Sequence, residues 1–138
     1  MELTTLKRFF ALSPFMNDLG VEPVAVGEGT VSTVLTIAQR MQQHTGQVHA
    51  GVMAAMADHT MGAAAQTLAP EGHWAITAEF KTAQLRPAKG ERLVCEAVVI
   101  KAGRSLSFTE AEVYAEAAGQ RTLVMKASAT MALVPSKA

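Results

Sequence analysis

The sequence holds a single cysteine, a single tryptophan and a single tyrosine, and its most apolar stretch, Ala50 to Ala57, stops at Asp58. Each shortage excludes something. One cysteine, Cys95, rules out an intrachain disulfide framework and a thiolate-rich metal site. Eight apolar residues are far short of the roughly twenty that a bilayer-crossing helix needs. Lys7 and Arg8 near the N-terminus are followed by no long apolar core and no small-residue cleavage site, so no export signal is expected. A cytoplasmic protein with a reduced thiol is the expectation. Charge of one sign is lacking too. Twelve basic and twelve acidic side chains cancel, which argues against nucleic acid or an anionic membrane as partner. Ten glycines without a period exclude a collagen-like repeat, and five prolines with 49% hydrophobic and 17% charged residues exclude disorder.

What is present suits one domain over 1–138. A chain of this mass folds to roughly 6,900 Å² of surface from about 21,000 Å² extended, enough burial for a core without staples. Residues 3–12 read as a short helix with Leu3, Leu6, Phe9, Phe10 and Leu12 on one face. Pro14 lies beyond it, and Asn17 to Gly20 read as a turn. Valines and threonines from Val21 to Ile37, broken by Gly27 and Gly29, predict a hairpin. Residues 38–47 are polar and turn-like. Residues 49–68, rich in alanine and methionine and ended by Pro70 and Gly72, predict a helix about 30 Å long. It has no polar face, so other protein should enclose it. Strands are expected at 74–85, 91–101, 104–117 and 121–134, divided by RPAKG, KAG and AAG. The simplest α+β arrangement is a curved antiparallel sheet wrapped around the long central helix.

Asp58 falls in the middle of that helix. Small residues lie one turn to either side, among them Gly51, Ala54, Ala55, Gly62 and Ala65. Burying a carboxylate there costs several kcal/mol unless it is hydrogen-bonded or beside a wet cleft. Two readings stand: a structural acceptor bonded to backbone or His59, or a carboxylate that activates water or attacks an electrophile. His49 and Ala50 open the helix, where unpaired N–H groups and the dipole favour negative charge, such as an oxyanion. His49 and Asp58 are separated by about 13.5 Å along the axis and roughly 180° around it. They cannot serve one carbonyl within one chain. If both are catalytic, two chains share each site.

GQVHAGVMAAMAD, residues 46–58, resembles the G-x-x-H-G-G-x-x-x-x-x-x-D signature of hotdog-fold acyl-CoA thioesterases of the phenylacetate-pathway (PaaI-like) type. The similarity continues through TAEFKTAQLRPAKG at 77–90 and KAGRSLSFTEAEVY at 101–114. The resemblance implies a hotdog fold, hydrolysis of an aryl- or acyl-CoA thioester, and a homodimer with shared sites, pairing further into a dimer of dimers. By position it implies Asp58 as nucleophile or general base and the Ala50 N–H, from the partner chain's helix tip, as the group polarising the thioester carbonyl. His49 would shape that tip, with Gly51 in the substrate-binding set. Thr77 would hold the attacking water, and Gln43 would stand near the leaving sulfur. Gly103, Arg104 and Ser105 would form the turn touching coenzyme A. Two residues depart from the pattern: Ala50 replaces the first Gly of H-G-G, and Gln43 replaces an Asn.

Charge distribution suits a phosphate-bearing ligand. Residues 81–104 carry Lys81, Arg86, Lys89, Arg92, Lys101 and Arg104 against Glu91 and Glu96, while residues 1–80 are net acidic. Arg86 and Lys101 therefore join Arg104 as candidate coenzyme A contacts. Coenzyme A would be part of substrate and product, so no separate cofactor is expected. His44, His49, His59 and His73 lack ligand spacing, so no metal site is expected either. His59 reads as a local bond partner or wall residue, and Cys95 as a small buried hydrophobe. Trp74 and Phe80 share strand parity with Ile76 and Ala78 and are assigned to core packing. Two alternatives remain: a noncatalytic acyl-CoA-binding protein, favoured by Ala50, and a hydratase or dehydratase, for which no second His–acid pair is visible.

Overall fold

In the computed structural model, which describes residues 1–136, buried and exposed residues alternate along the C-terminal strands with a period of two. The strands are β1 (Glu22–Gly27), β2 (Thr30–Thr36), β3 (His73–Gln84), β4 (Arg92–Ala102), β5 (Leu106–Ala117) and β6 (Gln120–Pro135). They form one sheet in the order β1-β2-β4-β5-β6-β3, with every pairing antiparallel. The last two positions of the expected 1–138 domain lie outside the described residues.

The sheet curves around α3 (Ala50–Gln66), which packs against β2 through β6. This is the hotdog arrangement. The helix approaches closely because the side chains it turns inward are small or pliable. Ala57, Ala64 and Ala65 are buried beside Met53, Met56 and Met61, and Met125 and Met131 meet them from β6. Unbranched methionine fills irregular gaps between a helix and a twisted sheet. Truncating a fully buried one such as Met61 to alanine would cost about 2–5 kcal/mol. One buried polar pair ties the layers: Thr33 Oγ1 on β2 meets Thr60 Oγ1 on α3 at 2.8 Å, and the Thr60 hydroxyl donates to the Met56 carbonyl at 2.7 Å. Cys95 lies in this core, and burial pushes its thiol up to about 12. It is inert at neutral pH.

Two features differ from the sequence reading, and one follows it in more detail. The segment expected as a turn before Gly20 is a second helix, α2 (Pro14–Leu19). Ser13 caps it by accepting the Met16 N–H, Pro14 takes the first helical position, and Gly20 closes it at φ +88°. The polar segment ahead of α3 is turn-like as expected, with a 3₁₀ turn at Gln39–Met41 and a bridge between Gln42 and Val48. Finally, β3 carries a bulge between Thr77 and Glu79. The extra residue switches faces, so Trp74, opposite Val134, and Phe80, opposite Ala129, lie on opposite sides of the sheet. They are 42% and 41% exposed, so neither is a core residue within the chain.

The N-terminal helix α1 (Leu3–Ala11) packs on β1 and buries Leu6 and Phe10. Its Phe9 ring reaches Trp74 on β3. It therefore bridges toward both edge strands on the side of α3 that the sheet leaves open.

Candidate functional site

Asp58 projects from the middle of α3 into a cavity of about 140 Å³, together with Thr77, His59, Phe10, Phe9 and Trp74. The Thr77 hydroxyl donates to Asp58 Oδ1 at 2.7 Å. Thr77 is the last residue before the β3 bulge, so its register opposite Met131 fixes it on the helix-facing side. With its proton given to Asp58, its oxygen lone pairs are left to accept from a water. His59, next in the helix, is half-buried and stacks edge-on against Phe10 at 4.4 Å. Burial pulls its pKa down and favours a neutral imidazole, with the Asp58 charge opposing it.

The other end of α3 is a separate place. His49 is its N-cap, and the ring Nδ1 accepts the Gly51 N–H at 2.8 Å, which puts the neutral ring's proton on Nε2. A Cβ on Gly51 would come within 3.0 Å of that Nδ1, so glycine permits the cap. The loop is pinned from behind: the His49 N–H donates to the Met41 carbonyl and the Val48 N–H to that of Ala88. Ala50 occupies the first helical position, where an N–H has no intrahelical partner, and it has no acceptor among the described residues. Ala50, Gln43 and Arg86 line one open pocket here. Arg86 is partly committed, because its Nη1 donates to the Leu123 carbonyl at 2.9 Å.

The expected site residues thus fall into separate groups. Asp58 and Thr77 come together. Gln43, His49, Ala50, Gly51 and Arg86 come together about 12 Å away along the helix axis. The β4–β5 turn holding Gly103, Arg104 and Ser105 belongs to the Asp58 end, since Ser105 accepts the Leu133 N–H and Leu133 pairs with Ala75. Gly103 is required there, because a Cβ would lie 2.7 Å from the Leu106 carbonyl oxygen. Lys101 is exposed at the end of β4, next to that turn. Arg92, one of the six basic residues, is spent on Glu116 at 2.5 Å and holds that carboxyl below its usual range.

A family model described as the thioesterase superfamily matches residues 45–122, more than half of the sequence. The chain belongs to the thioesterase superfamily. A thioesterase family protein from Silicibacter pomeroyi is similar at 31% identity, over 96% of this chain and 98% of that one, with a TM-score of 0.93. Two more distant structures share the fold. A thioesterase from Haemophilus influenzae has 22% identity, 98% and 92% coverage and a TM-score of 0.88. The PaaI protein of the phenylacetic acid degradation operon of E. coli has 17% identity, 97% and 94% coverage and a TM-score of 0.86. No curated protein matches the chain. The matched span of this thioesterase-superfamily chain includes both ends of α3 and the 103–105 turn but leaves α1 outside it. Sequence reasoning places Phe9 and Phe10 on an apolar helix face and does not bring them to Asp58. A signal is available: an amphipathic helix ahead of an open-sided sheet has one gap to cover.

Proposed function

We propose that the chain is an acyl-CoA thioesterase whose carboxylate at Asp58 acts as general base on a water, in a site completed by the helix tip of a second copy. The observation that carries this is the 2.7 Å bond from Thr77 to Asp58 inside a cavity, in a member of the thioesterase superfamily. Thr77 orients the carboxylate and accepts a hydrogen bond from the water. As the water oxygen bonds to the thioester carbon, Asp58 takes a proton from it. The carbonyl oxygen becomes an oxyanion, stabilised by the Ala50 N–H of the partner chain. The tetrahedral intermediate collapses with cleavage of the C–S bond, and the leaving sulfur receives the proton held by Asp58. The products are the free acid and coenzyme A. His49 fixes the direction of the Ala50 donor through its cap on Gly51, and Gln43 on the same tip meets the leaving sulfur. Arg104 and Lys101 beside the Asp58 half-site, and Arg86 beside the tip, offer positive charge to coenzyme A phosphates.

The sheet edges support a pairing of two copies. β1 is short, contains Pro23 and is backed by α1, all of which blunt an edge. β3 is twelve residues long, contains no proline and leaves its outer edge unpaired. The chain also exposes 7701 Å², about 800 Å² above the surface expected for a monomer of this mass. Pairing β3 with its copy extends the sheet and supplies each Asp58 with a partner helix tip. A homodimer is the functional unit in this reading, with a dimer of dimers as its further assembly.

The test is a thiol-release assay over a panel of acyl-CoA substrates with Asp58→Asn beside the wild type. Turnover should fall at least about 100-fold in the variant with its melting curve unchanged. Wild-type-like turnover in Asp58→Asn overturns the assignment.

A further inference from the structure

The cavity beside Asp58 has a wall that the chemistry above does not use. It comes from α1. Phe10 and Leu6 of that helix belong to the buried core, but Phe9 does not. Phe9 is half-buried, and its ring meets Trp74 edge-to-face at 5.1 Å and 70°. Both rings line the cavity, and Trp74 is 42% exposed. Two large aromatic side chains are thus arranged on each other and on empty space.

Across the same space, one helical turn beyond Asp58, stands Gly62. After proline, glycine is the residue a helix interior tolerates worst. Packing does not demand it here, since a Cβ on Gly62 would meet nothing nearer than Met131 Cε at 4.0 Å. The volume that the missing side chain leaves open is cavity volume. Gln66 closes the wall further along, with its amide held at both ends: Nε2 donates to the His73 carbonyl and Oε1 accepts the Ala75 N–H, each at 2.9 Å. Apart from the His59 ring and the bonded Gln66 amide, the wall beyond Asp58 and Thr77 offers rings, small groups and Leu6. It selects by size.

We propose that the N-terminal helix is the size gauge of the site: Phe9, propped edge-on against Trp74, and Gly62 together limit the acyl group admitted beside Asp58. The cavity of about 140 Å³ compares with the roughly 150 Å³ of an apolar cavity that holds benzene. The acyl group it takes is therefore one ring or a chain of about six carbons. The inference rests on the thioester reading, which supplies the acyl group. It also comes with its own reporter, because Trp74 is the only tryptophan in the sequence.

The experiment has two arms. In the first, wild-type protein is titrated with the non-hydrolysable thioether analogue of hexanoyl-CoA and with coenzyme A alone, and Trp74 emission is followed. The analogue should shift the emission and coenzyme A should not. In the second, kcat/KM is measured for acetyl-, hexanoyl- and dodecanoyl-CoA. Phe9→Ala should raise the dodecanoyl-to-hexanoyl ratio roughly 10-fold. Gly62→Ala should lower the hexanoyl-to-acetyl ratio by a similar factor while raising the melting temperature. Melting curves check that both variants fold. Analogue binding seen by calorimetry with silent Trp74 emission, or ratios unmoved in both variants, overturns the size gauge even if hydrolysis proceeds. No thiol release from any substrate, with an analogue-specific Trp74 shift, leaves the acyl chamber standing and overturns the hydrolase reading.

Discussion

Around the middle of α3, the Asp58 carboxylate already has its partner within one chain, a Thr77 hydroxyl at 2.7 Å, and a cavity walled by two other elements, α1 and β3. At the tip of the same helix, His49, Ala50 and Gln43 are all exposed, and the Ala50 N–H meets no acceptor among the described residues. One end is a built pocket holding a carboxylate. The other is a donor fixed in direction, by the His49 cap and the Met41 and Ala88 carbonyls behind it, and aimed at nothing the chain supplies. In the proposed function, a rigid donor without an acceptor and a carboxylate without an electrophile are complementary halves. About 12 Å of helix keeps them from meeting in one copy.

The largest effect should come from breaking the tip without breaking the helix, and the backbone allows that. His49 has φ −62° and ψ 137°, a conformation that a residue before proline accepts, and Ala50 is at the helical position where proline is tolerated. Ala50→Pro thus deletes one N–H and little else. Turnover should fall about 100- to 1000-fold, the usual loss for one oxyanion donor. Mixing sharpens the comparison further. Ala50→Pro and Asp58→Asn chains, each inactive alone, should recover about a quarter of wild-type activity when co-refolded. Half of random dimers are mixed, and each mixed dimer holds one intact site of two. No recovery would mean that both groups serve from one chain, and an active Ala50→Pro chain would mean that the tip plays no part.

Next in size is the bond that makes the Asp58 end complete. Thr77→Ala removes the donor to the carboxylate and the acceptor for water, and should lower kcat roughly 10-fold, the scale of one hydrogen bond to a charged group. Thr77→Ser should restore most of it. A loss as large as that of Asp58→Asn would reverse the division of roles. Smaller again is Arg104, on the turn beside this end. A phosphate contact acts equally in ground and transition states, so Arg104→Ala should raise KM for acyl-CoA severalfold and leave kcat nearly untouched. The thioester of a small uncharged thiol should not notice the change. Equal losses on both substrates would make Arg104 a support of its turn.

Much of this comparison is legible in the sequence, and its gaps have physical causes. Helix geometry alone separates His49 from Asp58, so two half-sites can be read from residue spacing. The sheet is readable because period-two burial is local. What escapes are features set by one residue or by tertiary contact. The bulge after Thr77 inserts a residue that no alternation pattern marks, and it moves Phe80 away from the face of Trp74. The α2 helix is only six residues long, so capping by Ser13, Pro14 and Gly20, rather than periodicity, defines it. The role of Phe9 depends on where α1 docks, which its own amphipathic face does not specify.

The smallest expected effect concerns His59, which belongs wholly to the enclosed end. Burial lowers its pKa in the folded chain below the unfolded value of 6.5, with the Asp58 charge as the opposing influence and the only other titratable group lining the cavity. As pH falls through 6.5, the unfolded chain takes up this proton before the folded one does. The unfolded state then binds more protons, so native stability declines as pH drops, and is full above that value. Glu116, whose folded pKa is lowered by Arg92, contributes stability that is lost only as pH falls below its unfolded value of 4.5. The His59 slope therefore begins at a higher pH than the Glu116 one. The melting temperature should fall as pH drops below 6.5. His59→Phe keeps an aromatic ring against Phe10 without the titration, and should flatten that slope. An identical slope in the variant would show that the enclosed end of α3 is wetter than its walls suggest, and would weaken the contrast between the two half-sites.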